Sequence, residues 1–228
     1  MWKIVLQWFV VFMLYVINVQ AQSFEGTFEM RIMDDGSISR MLFYVKGDKI
    51  VIEPIDETLP RPVRILMQKG VNYMYILTEE QGTKVAIKNT FQLPPDIDSM
   101  VSKKAYNVIE TEEKKMIGAY ECRKVIVDNS DGQKLEMWVT SKMGFTLAQF
   151  FDCIGKFSAT ISNGDYREVT KNNHQELFQK NMALEINELK EGSSTKITIT
   201  NIIKKALSEA DFDLTTYTVV DMESMMGK

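Results

Sequence analysis

The chain has 228 residues, of which 45% are apolar and 25% are charged. These proportions are ordinary for a soluble globular protein and exclude a disordered or collagen-like chain. A formal net charge of −4 does not provide the basic surface that nucleic-acid binding requires, so we expect no nucleic-acid partner. The only histidine, His174, excludes any site that needs two histidines.

Residues 1–21 have the pattern of a secretory signal peptide. Lys3 gives a positive start, residues 4–17 are almost continuously apolar, and small residues end the segment at Val19 and Ala21. A membrane anchor is the alternative, but about 14 apolar residues are short for a bilayer that needs about 20. We therefore expect cleavage after Ala21 and a periplasmic or extracellular protein that is not integral to the membrane.

From residue 22 onward apolar and polar residues alternate with a period of two, which predicts β-strands separated by turns. Helical patterns are few, and no linker or low-complexity segment interrupts the chain, so we predict one domain over residues 22–228 with a loose tail at about 222–228. The predicted strands are 24–32, 40–46, 49–53, 63–68, 71–78, 83–88, 118–127, 134–140, 183–189 and 195–203, and the predicted helices are 97–104, 145–153 and 174–182.

Several predicted strands are apolar on both faces. On the strand at 71–78, Tyr73 and Tyr75 point to one side while Met74 and Ile76 point to the other. An antiparallel sheet with one face in water shows clean alternation instead, so both faces need cover. We expect helices on one face and either sheet curvature or a ligand on the other. This favours a mainly β, α+β fold in which a strongly curved antiparallel sheet closes around short helices.

Five segments, read in chain order, resemble a secreted domain-of-unknown-function family of Bacteroidota. That family is similar to the lipoprotein carriers of the LolA/LolB type, which implies an antiparallel half-barrel wrapped over short helices with an apolar concave face. The resemblance covers most of residues 24–221, but its motifs are structural. Family members have a Gly-Tyr-Lys-Cys run, whereas here Ala119 follows Gly118 and Glu121 replaces the lysine. The segments are FEG at 24–26, YVKGDK at 44–49, IGAYECRK at 117–124, EMWVT at 136–140 and ADFDL at 210–214.

The two cysteines, Cys122 and Cys153, remain in the chain after the expected cleavage. Export places them in an oxidising compartment, where two cysteines often pair. A disulfide would close a loop of roughly 31 residues and stabilise the fold by roughly 3–4 kcal/mol. The alternative is two separate buried thiols that pack as small apolar groups. The sequence slightly favours the disulfide.

The search for catalytic, metal and cofactor motifs is negative: the chain has no G-x-S-x-G, no glycine-rich phosphate loop, no C-x-x-C and no H-E-x-x-H. We therefore expect a non-enzyme without a metal or cofactor. Methionine is abundant, with 15 residues, and it either fills core gaps or adapts to apolar ligands. Tyr73, Met74, Tyr75 and Trp138 are the candidates to line an apolar cleft for a lipid or acyl chain.

Two functions are consistent with these features. The first is a non-catalytic envelope protein that binds a lipid, lipoprotein or other apolar ligand in the concavity of the sheet. The alternative is an interaction or scaffold module that binds another envelope protein and takes no small-molecule ligand. A ligand-sized cavity favours the first function, and a filled interior with an exposed apolar patch favours the second.

Overall fold

The computed structural model describes residues 23–55, 63–90, 106–129, 134–161, 175–189 and 195–222. Several sequence predictions concern residues outside these ranges, and the structure does not address them. They are the signal peptide at 1–21, the helix at 97–104, the position of His174 and the tail beyond residue 222.

In the described part of the chain, twelve strands form a single open, curved sheet with the order β12-β6-β5-β4-β3-β2-β1-β11-β10-β9-β8-β7. Neighbouring strands are antiparallel, except that β12 pairs with β6 in parallel. The prediction of a mainly β fold is confirmed. The strands are β1 (Gly26–Asp34), β2 (Ser37–Lys46), β3 (Lys49–Pro54), β4 (Arg64–Gln68), β5 (Tyr73–Glu80), β6 (Thr83–Thr90), β7 (Tyr106–Ile117), β8 (Tyr120–Asn129), β9 (Lys134–Thr140), β10 (Met182–Glu188), β11 (Lys196–Lys204) and β12 (Thr218–Asp221).

Tight turns keep the meander in register. Asp35 and Gly36 have φ angles of 43° and 85°, and this pair of left-handed residues forms the hairpin turn whose twist matches that of β1 and β2. At the other end of β1, Gly26 has a φ of 152°, and a Cβ atom there would lie 2.1 Å from the carbonyl oxygen of Ile203. Glycine is therefore required for β1 to approach β11 at this point.

Two helices accompany the sheet among the described residues: α1 (Leu147–Ile161) and α2 (Gln175–Lys180). A capping box starts α1, because the Gln149 amide donates to the Thr146 hydroxyl and the Thr146 amide donates to the Gln149 side chain. The Phe150 ring lies 5.7 Å from that of Phe43 on β2. No described helix is both long enough and apolar enough to cross a membrane.

We call the side of the sheet that carries α1 the front face. Residues directly opposite in a register share a face, so the strand pairings assign every position to the front or the back. The front face holds most of the hydrophobic core, together with side chains from α1 and α2. Its buried strand members include Phe28, Met30, Phe43, Val45, Ile50, Ile52, Met67, Met74, Val125, Met137 and Ile199.

A C-terminal segment, residues 205–217, crosses the back face behind β2–β6, and β12 then adds itself to the edge of β6. We call residues 205–221 the strap. Leu207 and Phe212 of the strap are buried against a second apolar cluster on the back face. That cluster is formed by Val51, Leu66, Leu77 and Ala86, with Tyr44 and Tyr75 at its margin.

Candidate functional site

One row of apolar side chains runs across the front face from β1 to β6. Each member lies directly opposite the next in the strand registers, so the row is continuous over six strands. The three inner members are buried and the three outer members are half-buried. In order, the row consists of Phe28, Phe43, Ile52, Ile65, Ile76 and Ile87.

Aromatic side chains cover the inner part of the row. The Phe28 and Phe43 rings stack with centroids 4.8 Å apart, and Phe145 lies 6.2 Å from Phe28 just before α1 begins. Phe150 of α1 closes over Phe43. The outer part, which we call the isoleucine patch, comprises Ile65 on β4, Ile76 on β5 and Ile87 on β6.

A second group of half-buried isoleucines lies on the front face in the other half of the sheet. Ile32 on β1 is opposite Ile197 on β11, which in turn is opposite Ile186 on β10. All three pack against the same core cluster as Ile65 and Ile76 of the isoleucine patch. The front face therefore retains half-buried apolar surface in two places.

The structure places the predicted site residues of β5 on opposite faces. Met74 lies on the front face beside the isoleucine patch and is only 5% exposed. Tyr73 and Tyr75 lie on the back, where their rings meet edge to face at 5.4 Å and Lys88 sits 5.2 Å from the Tyr73 ring. Successive residues of a strand alternate faces, so these three side chains cannot line one cleft.

Trp138 is also on the back face, in the half of the sheet away from the strap. Its indole Nε1 donates to Glu136 at 3.1 Å, and the Lys115 ammonium lies 4.1 Å from the ring centroid. The side chain is 8% exposed beneath these partners. Of the four predicted ligand contacts, only Met74 therefore reaches the front face.

Charged side chains surround Trp138 and pair with one another across β7–β11. Glu185 lies 3.0 Å from Lys115 and 3.3 Å from Lys196, and Lys124 lies 3.0 Å from Glu136. We call this set the back-face ion network. Because each of its two carboxylates lies against at least one lysine, its first role is to satisfy charges on a surface that faces water.

The predicted disulfide is absent from the structure, which has both cysteines as free, buried thiols. Cys122 on β8 directs its Sγ toward the Tyr120 carbonyl, whereas Cys153 on α1 directs its Sγ toward the Asp48 carbonyl. Burial raises the pKa of each thiol to about 11. The thiolate is therefore scarce at neutral pH, and neither cysteine is suited to nucleophilic chemistry.

Metal chemistry has no support in the ranges that the structure covers, since no three His, Cys, Asp or Glu side chains there are grouped to hold an ion. The chemistry available at Ile65, Ile76 and Ile87 themselves is apolar contact. Sequence reasoning missed the isoleucine patch. The signal that could have found it is the run of neighbouring apolar pairs at Ile65-Leu66, Ile76-Leu77 and Ala86-Ile87, which marks three adjacent strands as apolar on both faces.

A family model described as a domain of unknown function, DUF4412, matches residues 24–216. The chain belongs to this family. The matched range begins before β1 and ends within the strap, so the DUF4412 unit contains the isoleucine patch and most of the element behind it. No curated protein matches the chain.

Solved structures resemble this DUF4412 protein only distantly. PNGF-II in its C2 crystal form is 13% identical with a TM-score of 0.40; the match covers 88% of this chain but only 32% of PNGF-II. A DUF1329 family protein from Desulfovibrio piger is 12% identical with a TM-score of 0.33, and the match covers 89% and 95% of the two chains. LprF from Mycobacterium bovis is 10% identical with a TM-score of 0.32, covering 81% and 88%. Likenesses this weak support no inference about function.

Proposed function

We propose that this DUF4412 protein is exported and holds an apolar ligand, such as a lipid acyl chain, on the front face of its sheet without transforming it. The observation that carries the proposal is the apolar row, which is buried at β1–β3, where Phe150 of α1 packs on Phe43, and half-buried at β4–β6, where α1 also contacts β4. In this proposal the sheet is a half-barrel of the carrier type, in which α1 fills one part of the concavity and the ligand occupies the part above Ile65, Ile76 and Ile87.

The energy available from such a site is set by the hydrocarbon that it removes from water. Each buried CH₂ contributes about 0.8 kcal/mol, so a ten-carbon stretch offers roughly 8 kcal/mol before the cost of ordering. That gross value corresponds to a Kd of about 1 μM. Ordering costs weaken it further, so we expect exchangeable binding, which suits a protein that takes up and releases its ligand.

The side chains around the isoleucine patch support holding rather than chemistry. Its neighbours two residues away along the same strands on the front face include three apolar side chains, Met67, Met74 and Val85, and two polar ones, Thr78 and Asn89. None of the five is a carboxylate, a histidine, a cysteine or a lysine, so no side chain of this set serves as a general acid or base near pH 7. Methionine side chains instead adapt to apolar partners of varied shape, which favours a ligand that is flexible and defined mainly by its hydrocarbon.

Binding of dansyl-labelled undecanoic acid to the mature chain tests the ligand site by fluorescence. Ile76→Asn on the front face is compared with Ile126→Asn, a half-buried isoleucine on the back of β8. We expect saturable binding by the wild type, about tenfold weaker binding by Ile76→Asn, which corresponds to about 1.4 kcal/mol, and affinity within about twofold for Ile126→Asn. Thermal melting of both variants separates lost affinity from lost folding. Absence of saturable binding by the wild type would reject the ligand and leave the scaffold function ahead.

Export is tested separately by fractionation of cells and N-terminal sequencing of the protein. The proposal expects a soluble product that begins at Gln22, as the small residues Val19 and Ala21 before it predict. An intact Met1 recovered from the membrane fraction would contradict it.

A further inference from the structure

The strands that present the isoleucine patch are also the strands on which the strap packs. Each patch residue has a back-face core residue as its immediate neighbour in sequence: Leu66 follows Ile65, Leu77 follows Ile76 and Ala86 precedes Ile87. Neighbouring residues of a strand point to opposite faces. The front surface of β4–β6 and the surface beneath the strap are therefore two sides of one layer.

The beginning of the strap is fastened to the ends of β1 and β2. The Leu207 amide donates to the Glu25 carboxylate at 2.8 Å, and the Lys46 ammonium donates to the Leu207 carbonyl at 2.7 Å. Lys46 also pairs with Glu209 at 2.8 Å. One lysine thus holds both the backbone and a side chain of the strap at its start.

The middle of the strap is held by burial over β4 and β5. Phe212 is only 3% exposed within the back-face cluster, and Asp211 lies 3.8 Å from the Arg64 guanidinium at the start of β4. Lys84 of β6 lies 5.7 Å from the ring of Tyr217. The strap therefore contacts the sheet mainly through the strands of the patch.

The end of the strap joins the sheet itself. Strand β12 pairs in parallel with β6, from Thr218 opposite Val85 to Asp221 opposite Lys88. Lys88 also pairs with Asp221 at 3.1 Å. Any displacement of β6 therefore displaces the strap, and release of the strap frees the outer edge of β6.

We propose that the strap is a clamp on the ligand site: strap docking on the back fixes β4–β6 in the arrangement that presents the isoleucine patch, and ligand binding on the front tightens the strap. This inference rests on the proposed function and adds a way in which the protein sets its affinity for the ligand. Since Ile76 and Leu77 belong to one rigid strand, the two faces cannot rearrange independently. Linkage requires the effect to be reciprocal, so the ligand must favour the docked strap by the same factor by which the strap favours the ligand.

Replacement of the strap's buried ring tests the first direction. Phe212→Ala is compared with Trp138→Ala, which also removes a buried ring from the back face but in the half of the sheet away from the strap. With dansyl-labelled undecanoic acid, and well below the melting temperature of each variant, we expect Phe212→Ala to weaken binding at least about fivefold. Trp138→Ala and the exposed strap variant Thr216→Ala are expected to remain within about twofold of the wild type.

Hydrogen exchange of the wild type tests the reverse direction and does not depend on any variant folding. Addition of the same probe is expected to slow amide exchange in residues 207–221 as well as in β4–β6, while exchange in β8 and β9 stays unchanged. Binding that protects β4–β6 but not the strap, together with unchanged affinity in Phe212→Ala, would overturn the clamp and leave the ligand site intact. A wild type that does not bind the probe rejects the ligand site, and the clamp with it.

Discussion

The two halves of the sheet cover their back faces in opposite ways. Behind β2–β6 the strap lays Leu207 and Phe212 on an apolar surface, whereas behind β7–β11 the back face carries the ion network around Glu185 and Glu136. The front faces of both halves carry the main hydrophobic core. The comparison teaches that strands apolar on both sides, such as β4 and β5, require cover from the chain itself, while strands that alternate apolar and charged residues need only water.

The two edge strands of the described sheet show the same contrast. Strand β7 is long but blunted, because residues 111–113 bulge opposite Lys124 and charged residues fill its centre. Bulges and charges are the usual protection of an exposed edge against pairing with another chain. Strand β12 has only four residues and is the end of the strap. This edge is therefore formed by the same segment that covers the back face of β2–β6.

The comparison predicts its largest effect at the ring that anchors the strap. Phe212→Ala removes a buried ring over Leu66 and Leu77, and such substitutions cost about 3–5 kcal/mol of the free energy of unfolding. Thr216→Ala, at an exposed position four residues further along the strap, is expected to change it by less than about 0.5 kcal/mol. Urea denaturation followed by circular dichroism measures both. A loss below about 1 kcal/mol for Phe212→Ala would mean that the strap covers the back face without stabilising it.

Much of the sheet could be predicted because each strand carries its own period. The strands at 49–53 and 134–140 are recovered within a residue, since alternation needs no knowledge of neighbours. Strand β7 was missed because Glu110, Glu112 and Glu113 hide the pattern, and an edge strand tolerates such charges. The four residues of β12 are too few for a period to show, and their pairing with β6 depends on where the strap lies.

The site was harder to predict than the fold. Strands that are apolar on both faces correctly indicate that both faces of the sheet need cover. The sequence does not show that the cover on the back face comes from the chain's own strap. Which residues share a face follows from register across six strands, and no local pattern near Trp138 shows whether it points to the front or the back. The four predicted contacts were therefore divided between the two faces.

A second prediction concerns Glu29, at the boundary between the halves. It is buried on the back face, where it accepts from Arg40 at 2.7 Å and from Asn201 at 3.0 Å. Asn201 has a φ of 52° beside the bulge that pairs β1 with β11. We expect Glu29→Gln to cost about 1–3 kcal/mol at pH 7, because the replacement leaves a charge-assisted buried hydrogen bond weakened or unmade.

The pH dependence of this loss checks its cause. The hydrogen bond from Arg40 lowers the pKa of Glu29 in the folded state. A carboxyl group with a lowered pKa stabilises the fold fully above its unfolded pKa, about 4.3, and loses that contribution as the pH falls through the folded value. The difference between wild type and Glu29→Gln should therefore be constant from pH 6 to 8 and shrink below about pH 4. A difference that persists unchanged at the lowest pH at which the protein folds would assign the loss to packing.

The smallest effect is expected in the back-face ion network, at Lys196→Ala. Lys196 is 41% exposed on its side chain and lies 3.3 Å from Glu185, which keeps Lys115 at 3.0 Å and a hydrogen bond from Asn187 after the substitution. Exposed pairs contribute about 0.2–1 kcal/mol, and the remaining partners leave no buried charge unpaired, so we expect a loss below about 1 kcal/mol that diminishes further in 0.5 M salt. Urea denaturation at low and high salt measures it, with Thr216→Ala as the exposed control. A loss above about 2 kcal/mol would show that the network holds β10 and β11 together as firmly as the strap holds β4–β6, and the contrast between the two halves would then be wrong.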